Sequence, residues 1–283
     1  MIQPPAGDAL MAALRREGLD SVDGAFAYGA GRDVVKPGLR HRRRTRLELT
    51  DDAGVTQTIY LKRYGRERIM DRLWRWYTYG RRRSPAGVEF HNIRAARAAG
   101  LPTMEAVCYG EEFHELAGFI SMGSARSYVV VTAVPGDALE RCCEEVLARH
   151  ADSDEVVVAL TEKLADLARE FHEAGFVHRD FYASHIFLDQ RDGRTDLYLI
   201  DLARMFSPRR RFRWRVKDLA QLKYSMPPVW VERFWETFAG RYFSGAAASG
   251  RQGHERSIDR KVSAMRRARR RGPTTRRASE ADT

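Results

Sequence analysis

Two short stretches, VHRDFYASHIFLD at 177–189 and LYLIDLARM at 197–205, constrain the fold of this 283-residue chain more than any other feature. Each contains an apolar run of strand length, and the turn-like sequence QRDGRTD lies between them. A long amphipathic helix is predicted just before them, over about 155–174, because apolar residues recur there at helical spacing. The predicted order of helix, loop, strand, turn and strand places two carboxylates, Asp180 and Asp201, at the ends of short segments.

Two carboxylates placed in this way suit phosphoryl transfer. One carboxylate orients an acceptor hydroxyl and takes its proton, while the other holds Mg²⁺ against the phosphate oxygens. The alternative interpretation is that both aspartates are helix caps or turn residues.

The residues around these aspartates resemble the motifs of the lipopolysaccharide core kinase family, the Kdo and heptose kinases. That family shows H-R-D-x-Y-x-x-H-x-x-L, and the matching residues are His178, Arg179, Asp180, Tyr182, His185 and Leu188. Its second motif, I-D-L-x-R, is matched by Ile200, Asp201, Leu202 and Arg204, where an ordinary protein kinase has Asp-Phe-Gly. The resemblance covers about residues 25–235. It implies a phosphotransferase with Asp180 as the catalytic base, Asp201 as a metal ligand, and ATP and Mg²⁺ as cofactors.

The order of the predicted elements indicates an α+β fold. Strands dominate from 26 to 64, and helices dominate the later part of the chain. The resemblance implies a two-lobed protein-kinase-like fold, with a small strand-rich N-lobe (1–134) and a compact helical C-lobe (135–245). Residues 246–283 are rich in Lys and Arg and poor in apolar residues, so we predict a disordered basic tail there.

A lysine and a glutamate in the predicted N-lobe are assigned catalytic roles by the resemblance. Lys62, in the predicted strand IYLKRY, resembles the strand lysine that grips the α- and β-phosphates of ATP. Ser84 and Pro85 predict the start of the following helix. Glu89 on that helix resembles the ion-pair partner of Lys62. The alternatives are an exposed strand lysine and a solvated helix glutamate.

Further nucleotide-binding residues are predicted in two segments. SYVVVTAVPG (127–136) resembles the strand that enters a kinase hinge, where adenine would contact the carbonyl of Thr132 and the N–H of Val134. A buried strand without a ligand is the alternative. Gly29 and Gly31, in AYGAGRD, are assigned to the phosphate-covering loop, although G-x-G-x-x-G is absent.

Two histidines and a further aspartate lie close to these motifs in the sequence. His185 takes the place of the second metal-binding Asn of ordinary kinases, and it is either a metal ligand or a structural residue. His172 is predicted to be a packed helix residue. Asp218, in VKDLAQL, resembles the helix aspartate that hydrogen-bonds the H-R-D backbone, so its expected role is structural.

Basic and aromatic residues are combined in two segments. Residues 63–83 contain eight arginines together with Trp74 and Trp76. This combination suits a membrane interface or a phosphorylated glycan, and the alternative is packing of the rings on the N-lobe. RRRFRWRVK (209–217) adds a basic patch that would fit an anionic acceptor such as an acidic sugar or a lipid head group.

The composition limits the expected cellular setting. The three cysteines have neither the number nor the spacing of a disulfide framework or a zinc site. The chain shows no secretory signal and no apolar run of the roughly 18 residues that a membrane span needs. We therefore expect a cytoplasmic protein, with the cytoplasmic face of the inner membrane as a candidate site of peripheral binding.

Our hypothesis from the sequence is an ATP- and Mg²⁺-dependent kinase that phosphorylates a sugar hydroxyl of the lipopolysaccharide core, Kdo or heptose, or of a related glycolipid. A small-molecule or protein kinase of the same fold is the alternative among enzymes, because a fold does not determine its acceptor. The alternative of another class is a non-catalytic kinase-like module that binds polyanions through its basic arm. The positive charge is not accompanied by a nucleic-acid-binding motif, so nucleic acid is not an expected partner.

Overall fold

The computed structural model describes residues 8–33, 42–65, 69–79, 84–116, 119–191, 194–245 and 248–270. The chain divides into two compact units. The first unit comprises residues 1–135 and 198–206, and the second comprises residues 136–197 and 207–283.

The first unit contains an antiparallel five-stranded sheet with the strand order β1-β2-β3-β5-β4. Its strands are β1 (Arg32–Asp33), β2 (Arg42–Thr50), β3 (Thr56–Tyr64), β4 (Ala106–Leu116) and β5 (Phe119–Thr132). Side chains alternate along β2, where Leu47 and Leu49 are buried while Arg46 and Glu48 are exposed. The β2 residues therefore form one apolar and one charged face.

Two short helices, α1 (Asp8–Arg16) and α2 (Val22–Ala27), cover the apolar face of this sheet. Ser21 caps α2, because its side-chain oxygen accepts a hydrogen bond from the N–H of Gly24 at 3.0 Å. The helices and the sheet share one core, whose buried members are Leu10, Leu14, Leu19, Ala25, Leu47, Leu49, Ile59, Leu61, Tyr128 and Val130. Arg44, Arg46 and Lys62 lie on the opposite face, whereas the buried Arg63 lies on the helix side and donates to the carbonyl of Tyr28 at 3.0 Å.

The helix α4 (Pro85–Ala98) packs against β4 and β5. It begins where the sequence predicted, because the Ser84 hydroxyl accepts from the N–H of Gly87 at 2.9 Å and Pro85 occupies the first turn. It ends before Gly100, whose φ of 78° closes the helix. Val88, Ile93 and Ala96 are buried on the inward side of α4, and Glu89 is buried with them.

A further helix, α3 (Ile69–Tyr79), occupies the segment in which the sequence combines Trp with Arg. Four of its apolar or aromatic side chains are exposed and are here called the α3 surface: Met70, Leu73, Trp74 and Tyr77. Tyr77 is 85% exposed and Met70 is 74% exposed, whereas Trp76 is half-buried. Among the helices that the structure describes, none has both the length and the apolar character that crossing a bilayer requires.

The second unit consists mainly of helices. They are α5 (Leu139–Arg149), α6 (Glu155–Glu173), α7 (Phe212–Ser225), α8 (Pro228–Tyr242) and α9 (Ala248–Arg270), with a small sheet of β6 (Asp137–Ala138), β7 (Ile186–Arg191) and β8 (Arg194–Leu199). The helix α6 packs on α8, and the indole N–H of Trp230 donates to the hydroxyl of Thr161 at 3.1 Å. Trp230, Phe171 and Phe238 are fully buried, so aromatic rings dominate this core.

The expectation of a disordered tail over 246–283 is wrong for α9, which packs against α7. Ile258 and Val262, one helical turn apart, are both buried, and Lys223 pairs with Asp259 at 2.6 Å. The prediction failed because it used the average composition of the segment. Two aliphatic residues change that average little, although their burial is enough to attach the helix. Residues 271–283 of the predicted tail lie outside the described residues.

Candidate functional site

The first part of the site is a buried carboxylate between β3 and α4. Side chains at every second strand position share a face, so Lys62 and Tyr64 point to the same side of β3. There the ammonium group of Lys62 donates to Oε1 of Glu89, and the hydroxyl of Tyr64 donates to Oε2. Glu89 has no solvent exposure, and the Lys62 side chain is 9% exposed. The structure thus contains the ion pair expected between Lys62 and Glu89.

Tyr64 was missed by the sequence reasoning. Burial raises the pKa of Tyr64 well above its usual value, and the negative charge of Glu89 raises it further, so the phenol stays protonated and donates. The sequence could have identified Tyr64, because a residue two positions after Lys62 on a strand lies on the same face as Lys62. The pair and the phenol fix the direction of the Lys62 side chain.

Asp201 lies two residues after β8 in a left-handed conformation, with φ of 60° and ψ of 56°. A residue other than glycine is rare there and costs about 1–3 kcal/mol, so the surrounding structure has to impose it. The side-chain amide of Asn92 on α4 donates to the carbonyls of Leu202 and Met205, both at 2.8 Å. This buried amide holds the turn that follows Asp201.

The Asp201 carboxylate forms an ion pair with Arg44, with 3.6 Å between Oδ2 and Nη2. Within the described residues, no three side chains of His, Cys, Asp or Glu come together as a metal-binding group. Mg²⁺ needs no such cage, because it is typically held by one or two carboxylates together with water and substrate phosphates. A partly exposed carboxylate such as that of Asp201 fits this requirement.

The second unit holds the H-R-D loop through the backbone. Arg179 has a φ of 71°, and the fully buried carboxylate of Asp218 accepts from the N–H groups of His178 and Arg179 at 2.7 and 2.8 Å. Gln221 accepts from the N–H of Phe181 at 3.1 Å. Asp218 therefore has the structural role that the resemblance implied. It positions the backbone before Asp180, and Gln221 positions the backbone after it.

Gln221 and Ser225 were also missed. Ser225 accepts from the N–H of Ala183 at 2.8 Å, so α7 contacts this loop with side chains of Asp218, Gln221 and Ser225. These three positions recur at helical spacing and share one face of α7. The signal for this row was the recurrence of three hydrogen-bonding residues at helical spacing in the sequence DLAQLKYS.

Asp218 is itself supported by a buried chain of polar groups. His172 on α6 is almost fully buried, its Nε2 lies 3.3 Å from Asp218 Oδ2, and its Nδ1 lies 2.8 Å from the Tyr242 hydroxyl. Burial raises the pKa of Tyr242, so its hydroxyl stays protonated and can donate to Nδ1 of His172, whose Nε2 faces Asp218. The prediction that His172 packs inside the protein is confirmed.

His185 is held by the same loop. Its Nδ1 lies 2.8 Å from the backbone oxygen of Asp180, which can only accept, so Nδ1 carries a proton. Its ring stacks on that of His178 with 5.9 Å between the centroids. The structure places His185 beside Asp180, and its binding of a metal stays a prediction.

Thr132 and Val134 lie half-buried at the end of β5, where the chain leaves the sheet. The N–H of Thr132 donates to the carbonyl of Glu105 at 2.9 Å, and the N–H of Ala133 donates to the carbonyl of Thr58 at 2.9 Å. These bonds fix the backbone next to the two groups proposed for adenine. Contact of Thr132 and Val134 with adenine stays a prediction.

Gly29 and Gly31 lie just before β1. Gly31 has a φ of 89°, and a Cβ atom there would lie 2.8 Å from the carbonyl oxygen of Arg46. Close packing on β2 therefore explains the need for glycine at this position. The connection between β1 and β2, residues 34–41, lies outside the described residues. The phosphate-loop assignment stays a prediction.

The basic patch predicted at 209–217 includes the start of α7. Cations surround the ring of Trp214, with Arg213, Arg179 and Lys217 at 5.1, 5.5 and 5.9 Å from its centroid. The Lys217 ammonium also donates to the carbonyl of Arg179 at 2.7 Å. This basic patch is therefore attached directly to the residue that precedes Asp180.

Comparisons with known proteins agree with these features. The model of the lipopolysaccharide kinase (Kdo/WaaP) family matches residues 33–242. The lipopolysaccharide core heptose(I) kinase WaaP of Pseudomonas aeruginosa is 33% identical over 156 residues, which are 51% of this chain and 54% of that protein. The protein of the same name from Escherichia coli is 30% identical over 145 residues, 48% of this chain and 51% of that protein. The chain thus aligns with about half the length of these relatives.

A solved structure described as WaaP in complex with acyl carrier protein is similar to this chain with a TM-score of 0.60 and 25% identity. The similarity covers 85% of this chain and 92% of that one. It confirms the expected two-lobed α+β, kinase-like fold. Because the family match extends from β1 to the last residue of α8, the chain belongs to the lipopolysaccharide kinase (Kdo/WaaP) family.

Proposed function

We propose that this protein transfers the γ-phosphoryl group of ATP to a sugar hydroxyl of the lipopolysaccharide core or of a related glycolipid. The observation that carries the proposal is the family match over residues 33–242, because this range contains Lys62, Glu89, Asp180 and Asp201. Heptose is the first acceptor to test, since the relatives named above are heptose(I) kinases, and Kdo is the second.

In this proposal the two units have different tasks. Lys62, directed by Glu89 and Tyr64, binds the α- and β-phosphates of ATP. Asp180 orients the acceptor hydroxyl and takes its proton, while Asp218 keeps the loop backbone in place. These roles require little covalent chemistry from the protein, because phosphoryl transfer depends mainly on positioning and charge.

Asp201 would hold Mg²⁺, with His185 as a candidate second ligand. When bound, Mg²⁺ neutralises the charge of the phosphate oxygens. The donor set of Asp201 fits, because a carboxylate oxygen is a preferred ligand of this ion. The Thr132 carbonyl and the Val134 N–H would bind adenine, and Gly29 and Gly31 would lie at the phosphates.

Two surfaces suit an acceptor carried by an anionic membrane. The basic patch around Trp214 can bind a phosphorylated or acidic sugar. The α3 surface exposes Trp74 and Tyr77, a ring pair with centroids 6.3 Å apart, and aromatic side chains of this kind favour the membrane interface. We therefore propose peripheral binding at the cytoplasmic face of the inner membrane.

The test measures transfer of radiolabelled phosphate from ATP in parallel onto purified lipopolysaccharide, a heptose-containing core acceptor, a Kdo acceptor and a generic protein. We expect Mg²⁺-dependent labelling of the glycolipid acceptors. Asp180→Asn should lower the rate by about 10²–10⁴-fold while nucleotide affinity is kept, because a general base contributes on this scale. Asp201→Ala should weaken Mg²⁺-dependent nucleotide binding.

The matched control is Asp152→Asn, which changes an exposed aspartate in the turn between α5 and α6. It should leave the rate unchanged. Retention of more than about half the rate by Asp180→Asn would remove Asp180 from the role of base. Labelling of the generic protein instead of the sugars would favour a protein kinase. Steeply salt-dependent polyanion binding without ATP turnover would favour the non-catalytic module.

A further inference from the structure

The charged face of β2 carries a row of arginines beside the nucleotide-binding lysine. In the antiparallel pairing of β2 with β3, Arg44 lies directly opposite Lys62, and Arg46 lies opposite Tyr60. Residues directly opposite each other place their side chains on the same face of a sheet. The guanidinium of Arg44 and the ammonium of Lys62 therefore belong to one face, on adjacent strands.

Two cations directly opposite each other are unfavourable in a sheet unless anions accompany them. Lys62 has the buried carboxylate of Glu89. Arg44 has the carboxylate of Asp201, at 3.6 Å, which is too long for a hydrogen bond. Both members of the second pair are about a quarter exposed, at 28% and 26%, so water screens their attraction. Arg44 is thus held by a weak and exchangeable partner.

We propose that Arg44 is a phosphate-binding residue of the nucleotide site and that nucleotide binding replaces its ion pair with Asp201. When nucleotide binds, the ion pair opens. Asp201 then binds a divalent cation, and Arg44 binds a phosphate oxygen. This inference rests on the proposed function. Its chemistry suits arginine, because the planar guanidinium donates two parallel hydrogen bonds to phosphate oxygens.

The exchange keeps every charge paired. In the empty protein, Arg44 neutralises the carboxylate that is assigned to the metal. In the loaded protein, phosphate oxygens replace that carboxylate beside Arg44 and Lys62. Arg44 consequently opposes metal binding in the absence of nucleotide and favours nucleotide binding in its presence. These opposite effects distinguish the proposal from a purely structural role.

The test compares Arg44→Gln with Arg46→Gln. Arg46 is the matched control, because it lies on the same face of β2 and pairs with Glu48 at 3.0 Å instead of Asp201. Binding of Mn²⁺ alone is followed by the electron paramagnetic resonance signal of the free ion. Binding of Mg·ATP is followed by titration calorimetry.

For Arg44→Gln we expect Mn²⁺ alone to bind about threefold to tenfold more tightly and Mg·ATP to bind about tenfold more weakly, as for one lost charged hydrogen bond. Arg46→Gln should stay within about twofold of the wild type in both measurements. Arg44→Lys should keep part of the nucleotide affinity, because lysine keeps the positive charge but cannot donate the two parallel hydrogen bonds of a guanidinium group. Thermal unfolding of each variant shows whether it is folded.

A parallel loss of both affinities in a folded Arg44→Gln would show a structural role and overturn the inference. Unchanged affinities would also overturn it. If the wild type binds Mg·ATP and transfers phosphate while Arg44→Gln does so equally well, the inference fails and the proposed function stands. If the wild type binds neither Mn²⁺ nor Mg·ATP, both fail.

Discussion

The strongest energetic prediction concerns the buried pair of Lys62 and Glu89. We consider Glu89→Gln, Lys62→Met and the double variant. Glu89 has no exposure and the Lys62 side chain is 9% exposed, so each single variant leaves one group buried without its partner. Removal of one partner from a buried pair costs about 3–5 kcal/mol. Additive effects would therefore sum to about 6–10 kcal/mol, whereas coupled residues deviate from additivity by about 0.5–3 kcal/mol.

We expect a coupling energy near the upper end of that range, so that the double variant costs about 3 kcal/mol less than the sum of the two single variants. The Tyr64 hydroxyl lessens the cost of Lys62→Met, because it still donates to Glu89. The assay is hydrogen exchange of the amides in β3 and α4, which reports local opening free energies without assuming that both units unfold together.

The control cycle uses Arg46 and Glu48, a pair with 45% and 59% exposed side chains on the same sheet. Its coupling should be about 0.2–1 kcal/mol, as for exposed pairs. Additivity within about 0.5 kcal/mol for Lys62 and Glu89 would refute the reasoning that the two residues act as one unit.

Three further predictions concern other parts of the molecule. Asp218→Asn should lower the free energy of unfolding of the second unit in urea by about 2 kcal/mol. The carboxylate accepts from two backbone N–H groups, whereas an amide has only one acceptor oxygen. An unchanged midpoint of urea unfolding would contradict this prediction. Replacing Trp74 and Tyr77 by Ala should reduce sedimentation with anionic vesicles while the melting temperature stays constant; a lower melting temperature with normal vesicle binding would show that these rings support the fold instead. Ile258→Asp should make α9 sensitive to protease, because this fully buried side chain attaches the helix to its unit; unchanged protection would exclude that attachment.

The parts of the site that the sequence predicted depend on local patterns. The cap at Ser84 fixes the start of α4, and strand alternation fixes the side of β3 on which Lys62 lies. With both elements set, Glu89 is directed at Lys62. The same alternation would have identified Tyr64, whose phenol occupies the second oxygen of that carboxylate.

Contacts between residues far apart in the chain could not be predicted in this way. The pair of Arg44 and Asp201 depends on how residues 198–206 pack against a sheet formed by residues far away in the sequence, which no local pattern encodes. The helix α9 was missed for a different reason. Its burial rests on Ile258 and Val262 within a charged segment, and average composition conceals two residues at the right spacing.

The two loops that carry Asp180 and Asp201 share one structural device. Among the described residues other than glycine, those with a positive φ are Arg179 and Asp201. In each unit a buried polar side chain from a helix holds the adjacent backbone: Asp218 accepts from N–H groups, and Asn92 donates to carbonyls. Each loop is therefore held by the donor or acceptor character of the buried side chain and not by its shape.

An exchange of polarity at constant shape tests this conclusion. Asn92→Asp places acceptors against two carbonyl oxygens, so both hydrogen bonds are lost, at about 1–3 kcal/mol for each buried group left unsatisfied. The new carboxyl group is buried, and its protonated form can donate to one carbonyl, so its pKa in the folded protein is raised above that in the unfolded chain. The folded state consequently binds protons more tightly, and the destabilisation relative to wild type should shrink as the pH falls from about 8 to about 5. Urea unfolding of wild type and variant across this range measures the difference. A deficit independent of pH would mean that lost packing, and not the reversed polarity, destabilises the turn after Asp201.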